Sequence, residues 1–219
     1  MVGKPRNARA GWTLLEAMIG IALTATLLMT LGTALEGAVN LYRMSQAQLR
    51  LDRSLERALM RVRQELRNGV VTSLDPVPVQ VGLATPWTNE LEFQTVEDWN
   101  DGAAVLGTTT GFSLRLEEGE TDDGTDEDGD GLVDELELVL TRDVDGTPVE
   151  TVLARGVLEL FPDETANGMD DNANGLEDEP GFSLVIDESR LTVRLALGLR
   201  LPDGQVVTRQ RDLPLTLRN

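Results

Sequence analysis

The stretch from Gly11 to Leu35, GWTLLEAMIGIALTATLLMTLGTAL, contains one charged residue, Glu16, and none from Ala17 onward. At 1.5 Å of rise per residue, an α-helix over the uncharged run is about 28 Å long. That length is close to the hydrocarbon thickness of a bilayer. The run therefore predicts a membrane-spanning helix over about residues 12–35.

The carboxylate of Glu16 needs an explanation in such a helix. An uncompensated charge in hydrocarbon costs ~3 kcal/mol or more, so ionisable residues there normally have a partner. One interpretation is a capping box, because Thr13-Leu14-Leu15-Glu16 has the spacing in which the glutamate accepts from an amide at the helix start. The other is an ion pair with a cation at the same depth, which a newly cut N-terminus would supply.

The residues before the helix favour the second interpretation. A basic leader containing Lys4, Arg6 and Arg9 ends at Gly11, before the apolar run, whereas an ordinary secretory signal is cut after its apolar core. The sequence Gly11-Trp12-Thr13-Leu14-Leu15-Glu16 resembles the cleavage motif of prepilin-like proteins, with Trp12 in place of the usual Phe or Met. The resemblance implies that a prepilin peptidase in the inner membrane removes the leader, residues 1–11, and methylates the amine of Trp12. It also implies that Glu16 meets the N-terminus of a neighbouring subunit during assembly.

The helical pattern continues past the apolar run. Leu51, Leu55, Leu59, Val62 and Leu66 follow the three- and four-residue spacing of one buried helix face. Asn68-Gly69 is a typical C-terminal stop. One helix from Thr13 to Arg67 is expected, within a helical segment of residues 12–69. A second stripe, Arg53, Arg57 and Arg61, is expected to be a solvated face paired with Asp52, Glu56 and Glu65 rather than a partner site.

Residues 70–219 read as a β-rich head. Short β-prone runs are separated by Gly, Pro, Asp and Asn clusters, at Leu91–Val96, Phe112–Leu116, Leu136–Thr141, Val149–Phe161, Phe182–Ile186, Leu191–Leu201 and Val206–Leu213. The expected fold class is α+β: a long N-terminal transmembrane and amphipathic helix packed on a mainly antiparallel β-sheet.

The head contains an acidic repeat. Residues 120–135 align without gaps to residues 164–179 around a shared core of alternating acids or amides, then Gly-Leu-x-Asp-Glu. When positions are counted from Asp126 in the first copy and from Asp170 in the second, oxygen-bearing side chains alternate and a glycine stands at the sixth position. This pattern resembles the EF-hand calcium loop. In the first copy, residues 120–137, the predicted ligands are Asp126, Asp128, Asp130, the Leu132 carbonyl, Asp134 and Glu137.

The second copy, residues 164–181, has the same spacing with fewer carboxylates. Its predicted ligands are Asp170, Asn172, Asn174, the Leu176 carbonyl and Asp178. Gly181 stands at its twelfth position, so Glu179 or a distant residue would have to close the site. Two calcium ions are predicted, in EF-like or dockerin-like loops inserted between strands; the alternative is a pair of acidic, solvated loops without metal.

Composition removes several function classes. The chain of 219 residues has a formal charge of −19, so nucleic-acid binding is not expected. It has no His and no Cys, which removes the usual general base, disulfides and thiolate metal sites. Although a glycoside hydrolase needs only two carboxylates, no catalytic constellation stands out, and an enzyme is not predicted.

A more diffuse resemblance extends into the head. The segments LERALMRVRQELR at Leu55–Arg67 and LARGVLELF at Leu153–Phe161, with the closing Leu217-Arg218-Asn219, resemble J-type pseudopilins of type II secretion and PilW-like minor pilins. Either family implies a single-pass inner-membrane protein with a cytoplasmic leader and a periplasmic head. It would associate with other pilin or pseudopilin subunits, and the secretion case adds folded cargo. The alternative is a membrane-tethered calcium-binding surface or cargo-recognition protein that never enters a filament.

Overall fold

A computed structural model describes residues 13–70, 73–75, 87–101, 103–127, 129, 131–187 and 190–216. The helix α1 spans Leu14–Asn68. The strands are β1 Trp87–Thr88, β2 Leu91–Asn100, β3 Ala103–Leu116, β4 Leu136–Val144, β5 Thr147–Val157, β6 Phe182–Asp187, β7 Arg190–Arg200 and β8 Val206–Thr216. The chain divides into two compact units, Met1–Ser45 and Gln46–Asn219.

The described part of the first unit is helical from Leu14 onward, and its large apolar side chains are exposed within the chain. Its threonine hydroxyls donate to carbonyls three or four residues earlier, as from Thr24 to Gly20 at 2.8 Å and from Thr30 to Leu27 at 2.9 Å. Polar groups are thus satisfied inside the helix, as a hydrocarbon environment requires. Helix α1 is long and apolar enough to cross a membrane.

In the second unit, α1 supplies part of the hydrophobic core. Its buried apolar residues are Ala47, Leu51, Leu55, Ala58, Leu59, Val62 and Leu66. Core side chains of the sheet include Phe93, Phe112 and Leu140. Among the described residues, two ion pairs join helix to sheet: Glu65 with Arg142 of β4, and Asp52 with Arg209 of β8 at 3.8 Å. Of the expected arginine-stripe pairs, Arg61 with Glu65 is present at 3.0 Å.

The strands form one antiparallel sheet in the order β1-β6-β7-β5-β4-β3-β2, with β8 on β7. The consecutive strands β2 to β5 make one meander, and β6 to β8 make another. The two meanders join where Val157 of β5 pairs with Leu197 of β7.

These elements confirm the α+β class, with a long apolar helix and an antiparallel sheet. The helix limits, Leu14–Asn68, differ by one residue at each end from those predicted. Each of the seven predicted β-prone runs overlaps a strand, and the two-residue β1 was missed because it is too short for alternation to show. Strand β5 ends at Val157 rather than at Phe161, because Leu158 leaves the ladder to bond with Ala196 and Gly181.

Candidate functional site

The start of α1 is a reciprocal capping box. Glu16 Oε2 accepts from the Thr13 amide at 3.0 Å and from its hydroxyl at 3.1 Å, while the Glu16 amide donates to Thr13 Oγ1 at 3.2 Å. The capping-box interpretation of Glu16 therefore holds within a single chain. Glu16 is nonetheless exposed, so its carboxylate is accessible to a second partner. The predicted processing residues Gly11 and Trp12 lie outside the described residues.

The two acidic segments leave the head from the same end of the sheet. Leu116, Leu136, Val157 and Leu197 are successive partners across β3, β4, β5 and β7. The first loop, residues 117–135, therefore begins and ends in the same row as the start of the second loop, residues 158–181. Arg200 at the end of β7 donates to the Gly131 carbonyl at 3.0 Å, which ties the first loop to the second meander.

Both loops close at their base in the same way. The Glu117 amide donates to the Glu135 carbonyl at 3.0 Å, and the Phe161 amide donates to the Glu179 carbonyl at 2.8 Å. The next bonds also match, from Glu120 to Glu117 and from Glu164 to Phe161, each at 3.1 Å. Each bonded residue of the second loop lies 44 positions after its equivalent in the first loop, which is the offset of the sequence repeat. The bases of the two loops thus have the same backbone hydrogen bonds.

The aspartate at the ninth position of each loop caps an earlier turn. Asp134 accepts from the amides of Asp123 and Gly124, with its shortest bond at 2.9 Å. Asp178 accepts from Asn167 at 3.0 Å and from Gly168 at 2.7 Å. Both aspartates have positive φ, 50° and 47°. These two predicted ligands therefore stabilise the backbone conformation of their loops.

The first predicted ligand of each loop also accepts hydrogen bonds from amides of the same loop. Asp126 accepts from the Gly129 amide at 2.8 Å, and Asp170 accepts from Asn174 at 3.0 Å and from Gly175 at 2.8 Å. The sixth-position glycines, Gly131 and Gly175, have φ of 90° and 91°, the left-handed turn that glycine makes without strain. Asp128 and Asp130, which the sequence adds to the first ligand set, lie outside the described residues.

The remaining predicted ligands lie in different settings. Leu132 and Leu176 bury their side chains in the head. Asn172 and Asn174 turn their side-chain amides toward Glu179. Glu137 is on β4, buried, with Arg115 at 2.5 Å and Arg155 at 3.6 Å. The twelfth-position glutamate is therefore a member of an ion-paired row on the sheet.

Gly181, at the twelfth position of the second loop, is required by the junction of the two meanders. Its amide donates to the Leu158 carbonyl at 3.0 Å, and its carbonyl accepts from Ala196 at 2.6 Å. A Cβ atom here would lie 2.2 Å from the Leu158 oxygen. Close backbone approach thus explains why this copy has no glutamate where an EF-hand loop would close.

Charge and hydrogen bonding shift three pKa values around the first loop. The Thr125 hydroxyl donates to Asp123, and this bond lowers the pKa of the Asp123 carboxyl. The pKa of Arg115 is raised, mainly by its bond to Glu137, and that of Arg155 is raised mainly by Glu117. The arginines at the base of the loop therefore stay charged and anchor three carboxylates.

Among the described residues, no three Asp, Glu, His or Cys side chains converge closely enough to hold a metal ion. The donor chemistry still suits a hard cation, since both loops offer carboxylate, amide and carbonyl oxygens. Two carboxylates of the second loop, Glu164 and Glu179, are buried. The EF-hand spacing did not include Glu164, and it named Glu179 only as one alternative for the closing ligand. The two glutamates stand at the two ends of the aligned repeat. The boundaries of the repeat, and not the EF-hand spacing, are therefore the sequence feature that could have identified them.

Comparison of the chain with known proteins finds no matching family model, no similar curated protein and no similar solved structure. Function is therefore inferred from the helix and the loops themselves.

Proposed function

We propose that this chain is a minor pilin or pseudopilin, a structural subunit at the tip of, or priming, a type II secretion pseudopilus or a type IV pilus. The observation that carries the proposal is the continuity of α1. From Ala17 to Leu35 it exposes an uncharged apolar surface, and the same helix extends to Asn68, with its buried residues between Ala47 and Leu66 in the core of the head.

This continuity fits a filament subunit better than a simple tether. A tether needs only a span and a linker, whose composition sets how freely a domain moves. Here the helix that would pack against neighbouring subunits also forms part of the core of the head. Assembly through the apolar part of the helix would therefore bring the head that shares this helix into the filament.

The sequence motif supplies the processing step. A prepilin peptidase would cut between Gly11 and Trp12, leave the helix with the mature chain and methylate the new amine. That amine would bring a positive charge close to the Glu16 carboxylate of a neighbouring subunit and offset the cost of placing it in hydrocarbon. The leader would be cytoplasmic and the head periplasmic, where secreted cargo is a potential partner.

Calcium is proposed as the ion that holds the acidic loops together. Residues 117–135 contain eleven carboxylates and residues 158–181 contain eight, together half of the 38 in the chain, and neither segment contains a Lys or Arg. A bound cation would offset this repulsion at one end of the head. Its role would be structural, and no step of catalysis is assigned to it.

The processing experiment tests the subunit proposal. The full chain is expressed in a host with an active prepilin peptidase, beside a Gly11→Ala variant and a Gly3→Ala control, and intact mass and N-terminal sequence are measured. We expect wild type and control to begin at methylated Trp12 and Gly11→Ala to keep its leader. An intact leader in all three would contradict the proposal and favour a calcium-binding protein tethered outside any filament.

A further inference from the structure

Two buried glutamates of the second acidic loop stand at the two ends of the aligned repeat, residues 164–179. Glu164 is 8% exposed and Glu179 is 0% exposed. The Oε2 atom of each is buried and accepts no hydrogen bond. A buried carboxylate oxygen without a partner is costly, because the group has lost water and gained nothing in exchange.

Both carboxylates meet at Asn172. Glu164 Oε1 accepts from the Asn172 amide at 3.0 Å, and Glu179 Oε1 accepts from Asn172 Nδ2 at 3.3 Å. Asn174 Nδ2 also donates to Glu179 Oε1. The two glutamates, 15 positions apart in sequence, are thus brought to either side of one loop residue.

The charge around this pair is not balanced. Arg194 donates to Glu179 Oε1 at 3.1 Å, but it also pairs with Asp212 at 3.4 Å, and its guanidinium lies over the ring of Phe161 at 4.5 Å. In the described part of the chain, no basic side chain pairs with Glu164. Arg194 therefore divides its charge between buried Glu179 and exposed Asp212, buried Glu164 receives none of it, and a further cation is needed.

We propose that Glu164 and Glu179 are the anionic ligands of a Ca²⁺ site in the second loop, through the oxygens that accept no hydrogen bond. Asn172 Oδ1 accepts from the Asn174 amide at 3.0 Å and Asn174 Oδ1 accepts from the Leu176 amide at 2.9 Å, and because a side-chain amide oxygen has two lone pairs, each keeps one as a neutral ligand. Calcium suits such an irregular set of oxygens, whereas Mg²⁺ demands near-ideal octahedral geometry. Two carboxylates with amide oxygens also agree with the lack of a three-acid cluster among the described residues.

This ligand set differs from the EF-hand assignment. Asp178 is engaged by the amides of Asn167 and Gly168, and Gly181 cannot carry a side chain. The carboxylates that need a cation stand instead at the two ends of the repeat. The inference rests on the proposed calcium-stabilised head, but it does not depend on filament assembly.

The test uses the full chain in detergent micelles, freed of metal with EGTA. Calcium stoichiometry and affinity are measured by equilibrium dialysis, and the thermal midpoint is measured with CaCl₂ or with MgCl₂. The variants are Glu164→Gln and Glu179→Gln. Glu177→Gln is the matched control, because Glu177 is an exposed carboxylate in the same loop.

We expect wild type and Glu177→Gln to gain about 5 °C or more at a hundredfold excess of CaCl₂ over its dissociation constant. Each of the other two variants should lose one bound calcium, or bind it at least about tenfold more weakly, since ligand charge tunes affinity. MgCl₂ should give a smaller shift. Glu164→Gln keeps the test decisive if loss of the Arg194 partner unfolds Glu179→Gln.

The inference would be overturned if wild type bound no calcium, or if stoichiometry and affinity were unchanged in Glu164→Gln. An equal shift from MgCl₂ that persists in both variants would also overturn it, because that would be ionic screening. Leader processing is expected to be normal in all these variants. Failure of the calcium site is therefore distinguishable from failure of the proposed function.

Discussion

At the scale of single residues, the Glu16 carboxylate has a capping role in the single chain and a proposed ion-pairing role between subunits. In the isolated chain it accepts from the amide and hydroxyl of Thr13, which satisfies donors at the helix start. The subunit proposal requires its negative charge as well, to meet the new N-terminus of a neighbour. The two roles can be separated, because a capping box accepts Gln in place of Glu.

Glu16→Gln should keep the capping box and remove the charge, whereas Thr13→Ala should do the reverse. We expect Thr13→Ala to be recovered in sheared filaments as wild type is, and Glu16→Gln to be recovered about tenfold less or worse, the effect of ~1.4 kcal/mol or more. Recovery is measured as filament over membrane fraction after confirming leader removal. Normal recovery of Glu16→Gln would reduce Glu16 to a helix cap.

At the scale of elements, α1 changes character along its length. Its first part exposes its large apolar side chains, and its last part has one buried face. Leu49 and Leu55 show the contrast within the head unit: Leu49 is 46% exposed and Leu55 is 1% exposed. The same side chain thus contributes differently to stability at the two positions.

Leu55→Ala should lower the free energy of unfolding of the head by about 2–5 kcal/mol, because it leaves a cavity in the core. Leu49→Ala, the matched control, should change it by less than about 0.5 kcal/mol. The measurement is urea unfolding of the full chain in detergent, followed by the fluorescence of Trp87 and Trp99. Equal effects of the two variants would contradict the assignment of the buried helix face.

At the scale of the whole head unit, charge is distributed unevenly. Half of the carboxylates of the chain are in the two acidic loops, at one end of the sheet. The turns at the opposite end, after β2 and β4, carry Asp101 and Asp145. Without calcium, mutual repulsion at the loop end should oppose folding, and dissolved salt should weaken that repulsion.

Raising NaCl from about 20 to 500 mM should therefore raise the thermal midpoint of the calcium-free chain. The double variant Asp122→Asn/Glu159→Gln, with one exposed carboxylate removed from each loop, should have a higher midpoint at low salt and a smaller salt gain. The matched double variant Asp101→Asn/Asp145→Asn, at the other end, should keep most of the salt gain. Equal behaviour of the two would contradict a localised repulsion.

The sequence by itself determined the long helix, the antiparallel head and the repeated loops. Each is encoded locally, by the uncharged run after Glu16, by alternation as in Leu191–Leu201, and by the position of glycine in each repeat. These signals depend on neighbours a few residues away, so they can be read without knowing the fold.

The tertiary structure alone decided where the acidic side chains point and what surrounds them. It brought Glu164 and Glu179 to Asn172, placed Glu137 between two arginines, and required glycine at position 181 beside the Leu158 backbone. Each of these contacts depends on a strand register or a burial that joins distant segments. Ligand spacing in the sequence specifies the types of oxygen available, but packing decides which of those oxygens remain without a hydrogen-bond partner.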